Sequence, residues 1–191
     1  GLEPLAAVGL GYMQLGQAVP TLSGGEAQRL KLAGHLAKAG RRRRGGHKLF
    51  LFDEPTTGLH FADISVLLTA FERLLAAGHS VILIEHNLDV MLAADWLIDL
   101  GPEGGDGGGA LMGEGPPTTL MAVTASHTGA ALRRYVTERT GDADAAPATA
   151  PAVMPMPAAA RAPAAIEVCN AREHILQGID VRIPRRGMTV I

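Results

Sequence analysis

The feature that most constrains this chain is the stretch from Gly141 to Ala165, GDADAAPATAPAVMPMPAAARAPAA, built almost wholly of Ala, Pro, Asp, Thr and Met. No apolar period of 3.6 or 2 runs through it, so it offers no face to pack and reads as an extended linker. It divides the chain into residues 1–140 and 166–191, and the first part holds no internal repeat. With 47% apolar and 19% charged residues overall, the flanking parts are expected to be globular. Four Phe, two Tyr and one Trp are few, which predicts a core of Leu, Val, Ile and Ala rather than of rings. A net charge of −2 excludes the strongly basic footprint of a protein that coats nucleic acid by charge alone. The single Cys169 cannot form an internal disulfide or a zinc site by itself, is assigned no chemistry, and fits a reducing, cytoplasmic setting. No apolar run approaches the roughly 20 residues of a spanning helix, so no membrane partner is expected.

Residues 1–140 alternate strand and helix, which predicts an α/β layer with a mainly parallel sheet. Leu49–Phe52 is a short apolar run between a basic loop and Asp-Glu-Pro, as for a fully buried strand, and Val81–Ile84 is another. Between them Ile64, Leu67, Leu68, Phe71, Leu74 and Leu75 recur at helical spacing, with Asp63 as candidate N-cap and Gly78 as the stop. Trp96–Leu100 and Ala110–Met112 flank GPEGGDGGG as two further strands. Residues 166–191 read as three strands, IEV, GIDVRIP and MTVI.

Three motifs carry chemistry. In TLSGGEAQRLKLA, residues 21–33, Ser23 and Glu26 have capping-box spacing, and Gly24 and Gly25 let an anion approach exposed N–H groups at a helix start. In LFLFDEP, residues 49–55, a strand ends in Asp53 and Glu54; in phosphate-transfer sites such a pair holds Mg²⁺ and polarises an attacking water. In ILIEHN, His86 follows the next strand, where it can contact a γ-phosphate. Taken alone, the first motif reads more simply as an ordinary helix cap and the third as a structural histidine, while the acidic pair reads as readily as a loop end as a site.

Their order and spacing resemble the second half of an ABC-type ATPase: signature, Walker B strand, switch histidine. LGYMQLGQAVPTLSGGEAQRLKLA, FDEPTTGLHFADI and IEHNLDVMLAADWLIDLGPEGGDGGG resemble more closely the C-terminal nucleotide-binding module of the UvrA family, the damage-recognition subunits of the bacterial excinuclease. That resemblance implies an ABC-ATPase lobe over 1–140 using ATP and Mg²⁺. It implies that Ser23, Gly24 and Gly25 meet the γ-phosphate of a nucleotide held mainly by an opposing module, with Glu26 and Gln28 supporting the loop. Asp53 would reach Mg²⁺ through water, Glu54 would be the catalytic base, and His86 would sense the γ-phosphate. Gly58, Leu59 and His60 would lie in a communication loop. It also implies damaged DNA, a UvrB-like helicase, a second nucleotide-binding module and a homodimer partner, all in the bacterial cytoplasm.

No G-x-x-x-x-G-K-[ST] phosphate loop occurs, nor do the zinc-binding cysteines that the family carries in other regions. Residues 166–191 resemble the opening strands of a further module, ending at the strand that leads into a phosphate loop. The order suggests a tandem UvrA-like protein; a first module with an atypical signature block, or a fragment of a reading frame, stays open. So do an ABC ATPase of a transport or resistance branch and a silent, ATP-sensing scaffold. Met188–Ile191 is expected to pair in parallel with Val81–Ile84, with Ile166–Ile183 as a small antiparallel sheet against the same lobe, since the first strands would otherwise expose an open edge. Arg41, Arg42, Arg43 and Arg44 are weak candidates for DNA phosphate contact. Gly104–Gly109 reads as a turn, and His35, His47, His79, His127 and His174 as surface residues.

Overall fold

The computed structural model describes residues 2–14, 16–18, 21–39, 46–103, 105–140 and 165–191. Arg41–Arg44 and all of the Ala/Pro stretch except Ala165 lie outside them. The elements run α1 (Glu3–Ala6), α2 (Gly24–Ala39), β1 (Leu49–Asp53), α3 (Phe61–Ala76), β2 (Ser80–Ile84), α4 (Leu88–Ala93), β3 (Trp96–Gly101), β4 (Ala110–Gly115), α5 (Pro117–Ala122), α6 (His127–Thr140), β5 (Ala165–Ala171), β6 (Ile179–Pro184) and β7 (Met188–Val190).

A five-stranded sheet has the order β1-β2-β7-β3-β4, parallel except for the β3–β4 pair, and β5 and β6 form a separate antiparallel ribbon. The expected pairing holds: Val81, Ile82 and Leu83 face Met188, Thr189 and Val190 in register. β7 also pairs with β3 through Trp96 and Leu97, so the last strand in sequence fills the gap between β2 and β3. One sheet face, with Phe50, Phe52, Val81, Leu83, Leu97, Met188 and Val190, packs on α3 residues Ile64, Leu67, Phe71 and Leu74. On the other face Ile82 and Ile98 meet Ile183 of the ribbon.

Four expectations need correction. β1 is not fully buried: Phe50 and Phe52 point inward while Leu49 and Leu51 are exposed, because β1 is an outer strand and the ribbon covers residues of β2 and β3 instead. Rings do enter the core, where Phe52 lies 5.4 Å from Phe71 and 6.3 Å from Phe50, centroid to centroid. The N-cap of α3 is His60, whose ring accepts from Ala62 N–H, and Asp63 sits in the first turn. His35, His47 and His79 are half-buried rather than surface residues: His35 meets the Phe50 ring edge-on, His79 accepts from Lys48 N–H, and His47 shares a hydrogen bond of 2.8 Å with Ser80 Oγ.

The glycine stretch is more than a turn. Gln177 N–H donates to Gly109 O and its side chain to Gly108 O, and a Cβ on Gly109 (φ +78°) would sit 1.9 Å from Ile175 O. Backbone approaches backbone here, which only glycine permits. Cys169 is exposed on β5.

Candidate functional site

Asp53 ends β1 and Ile84 ends β2, and the two are register partners. Glu54, Glu85 and His86 therefore leave the same carboxyl edge of the parallel strands, where open α/β sheets place their ligands. Glu54 N–H donates to Ile84 O at 2.8 Å, which extends the ladder past β1. Its φ of +43° is uncommon for a residue with a Cβ. Glu54 Oε1 lies 4.0 Å from His86 Nδ1, with side chains 54% and 77% exposed. A pair so exposed adds little to stability, and both groups are open to a ligand. Thr57 Oγ1 donates to Glu54 Oε2 at 3.1 Å.

The signature segment begins α2 as its spacing predicts. Ser23 N–H donates to Glu26 Oε2 (2.8 Å) and Glu26 N–H to Ser23 Oγ (3.2 Å), a reciprocal capping box. The Tyr12 hydroxyl donates to Glu26 Oε1. That bond, then the Ser23 amide and hydroxyl, hold the Glu26 carboxyl below its usual range, and the same bond raises the Tyr12 phenol. A Cβ on Gly24 would meet open space, whereas one on Gly25 would lie 3.2 Å from both Arg29 Nη1 and Thr57 O. Gly25 thus lets the helix start lie against the turn that follows Glu54. Gln28 Oε1 is buried without a hydrogen-bond partner among the described residues. Gly58 has a φ of +74°, Leu59 packs on the core, and His60 caps α3.

Two site residues escaped the sequence reading. Arg29 is 2% exposed and donates from Nη1 to Pro55 O at 2.9 Å and to Thr57 O at 3.4 Å. Glu85 is 5% exposed; it accepts from Thr56 N–H at 2.9 Å on one oxygen, and from His86 N–H at 3.1 Å and Asn87 N–H at 3.3 Å on the other. A signal existed for Arg29, since it shares a helical face with Leu32, Ala33 and Leu36 and an arginine on a buried stripe must find partners. Glu85 had only its place after an apolar strand. Among the described residues no three His, Cys, Asp or Glu groups converge as a metal cage. The adjacent carboxylates of Asp53 and Glu54 instead suit an ion that keeps most of its water, as Mg²⁺ does beside phosphates. No helix of the described residues is long and apolar enough to cross a membrane.

No protein-family model matches the chain. It is 57% identical over 133 residues to the UvrABC system protein A of Thermus thermophilus, covering 70% of this chain and 13% of that protein. It is 55% identical over 135 residues to that of Neisseria meningitidis serogroup A, covering 71% and 14%, and 54% identical over 151 residues to that of Streptomyces coelicolor, covering 78% and 14%. The chain thus spans about a seventh of the length of these curated relatives. The crystal structure of UvrA2 from Deinococcus radiodurans aligns with a TM-score of 0.62 at 39% identity, over 96% of this chain and 20% of that one. Its fold is that of an ABC-ATPase lobe. Identity above one half across most of the chain, joined to a shared fold, reflects common descent: the chain belongs to the UvrA family.

Proposed function

We propose that this lobe supplies the water-activating and signature surfaces of a UvrA-like damage-recognition ATPase in nucleotide excision repair. The observation that carries the reading is Glu54 at 4.0 Å from His86 on neighbouring parallel strand ends, both exposed. In this reading Glu54 takes the proton of a water attacking the γ-phosphate, and His86 donates a hydrogen bond to the charge that develops there. Asp53 would hold Mg²⁺ through water; when bound, the ion neutralises phosphate charge. Ser23, Gly24 and Gly25 would meet the γ-phosphate of a nucleotide seated on an opposing module, which agrees with the open space over Gly24. In the whole protein, ATP binding and hydrolysis would govern contact with damaged DNA and loading of a UvrB-like helicase by a homodimer.

The test is Glu54→Gln in the full-length protein. Removing the base should lower kcat about 100-fold or more while ATP binding stays unchanged, because the carboxylate acts on water and not on ground-state phosphate. Equal loss of binding and turnover would assign Glu54 to nucleotide binding, and unchanged turnover would remove it from the reaction.

A further inference from the structure

The turn from Glu54 to Thr57 is gripped from both sides by buried charged groups. From the signature helix, Arg29 donates to the carbonyls of Pro55 and Thr57. From the end of β2, Glu85 accepts the amide of Thr56 with one oxygen and the amides of His86 and Asn87 with the other. Three successive residues after Glu54 thus have a backbone group bound to one of these two side chains. The same carboxylate sets the backbone of the histidine that Glu54 faces. The Glu85 amide in turn donates to Ile191 O at 3.1 Å, which ties the clamp to the end of β7.

We propose that Arg29 and Glu85 are positioning residues, a two-sided clamp that holds Glu54 in its left-handed conformation against His86 and carries movement of the signature helix to that pair. The inference rests on the reading of Glu54 and His86 as the hydrolytic pair. Physically, a residue at φ +43° persists only where its surroundings over-determine it. The bonds available to do so are charge-assisted, and those to Pro55 O and Thr56 N–H are buried, which strengthens them. The Glu85 carboxylate bonds the amides of Thr56, His86 and Asn87 and is given no role with the reacting water, so it acts on geometry alone. Gly25 is part of the device, since a Cβ there would press on Arg29 Nη1 and Thr57 O, each at 3.2 Å. Binding of an anion at Ser23 to Gly25 would thereby be felt, through one helical turn and Arg29, at the turn that bears Glu54.

The experiment uses the full-length protein with Arg29→Met, Arg29→Lys, Glu85→Ala and Glu85→Gln. ATP turnover is measured beside amide exchange at Thr56, His86 and Asn87. Misplacing a reacting group by about 1 Å costs on the order of 100-fold in rate, so Arg29→Met and Glu85→Ala should lower kcat about tenfold or more with KM within about twofold. Arg29→Lys should recover part of the loss. Glu85→Gln, which keeps one acceptor and turns an amide group toward the other donors, should fall between Glu85→Ala and the parent. Exchange at Thr56 and His86 should quicken in both Glu85 variants. If Glu85→Ala fails to fold, the isosteric Glu85→Gln decides: parental kcat in that variant overturns the clamp. Faster exchange with unchanged kcat also overturns it and leaves a contact that only stabilises. Turnover indifferent to Glu54→Gln would instead remove the hydrolytic reading, while the exchange of Thr56 and His86 would still show whether Glu85 holds the two loops together.

Discussion

Ser23 does two things at once, and they can be separated. Its hydroxyl accepts the Glu26 amide as an N-cap, a bond worth about 0.5–2 kcal/mol, and under the proposed function it also faces a phosphate. Ser23→Ala should therefore lower both the melting temperature and ATP-dependent closure between modules. Ser23→Asp keeps a capping oxygen but sets a negative charge against the phosphate, so thermal stability should hold while closure is lost; scanning calorimetry and a closure assay read the two effects apart. Gly109 is the converse case, a position with no chemistry and a strict steric demand. Gly109→Ala forces a Cβ into the Ile175 carbonyl at a positive φ, and a cost of about 2–4 kcal/mol is expected in urea unfolding.

Among the elements, the join between β2 and the β6–β7 turn depends on a titratable group. His47 bonds Ser80 Oγ on one ring nitrogen and Arg185 on the other, while the Arg186 amide donates to the same Ser80 oxygen at 2.6 Å. Burial lowers the His47 imidazole from its ordinary range, and the charges of Arg185, Arg186 and His79 lower it further. Its folded pKa is therefore below its unfolded one, so the unfolded chain takes up the proton first as pH falls. The contribution is complete above about pH 6.5 and declines as pH drops through the folded value. Amides of Thr189 and Val190 should exchange faster as pH falls through this window, after correction for intrinsic rates, and His47→Gln should flatten that dependence. An unchanged dependence in the variant would place the sensitivity elsewhere. A second join, between α4 and α6, runs through Asp89, which accepts from Tyr135 at 2.9 Å and Arg139 at 2.6 Å.

At the scale of the whole molecule, the sheet is closed by its last strand. Without β7, β2 and β3 have no common neighbour, and Val81, Leu83, Trp96 and Leu97 lose their partners. Residues 1–140 alone would carry two strand pairs with an apolar slot between them, an arrangement sheets avoid. A chain ending at Thr140 should therefore lose its cooperative unfolding transition, read by the fluorescence of Trp96, whose register partner is Thr189. Val190→Asp in the intact chain should act the same way more mildly, since an unpaired carboxylate at a 1% exposed position costs roughly 3 kcal/mol or more.

Local rules sufficed for much of this. Ser23–Glu26, the apolar strands and the helical stripe of Ile64 to Leu75 depend on neighbours within a few residues, so capping, period and strand-end carboxylates were readable in order, and with them the family. The pairing of Met188–Val190 with Val81–Leu83 was also readable, because an unpaired strand edge has few remedies in a chain this short. What depended on distant residues was not. β1 reads as buried by composition, yet its exposure follows from which strands the ribbon covers. Gly104–Gly109 reads as a turn, yet its need for glycine comes from Ile175, far along the chain. Arg29 and Glu85 have no assigned role in the sequence motifs, and only the packing of α2 and β2 around the turn at Glu54 makes them a buried pair with work to do, because burial of a charge is set by what surrounds it in space and not by its neighbours in sequence.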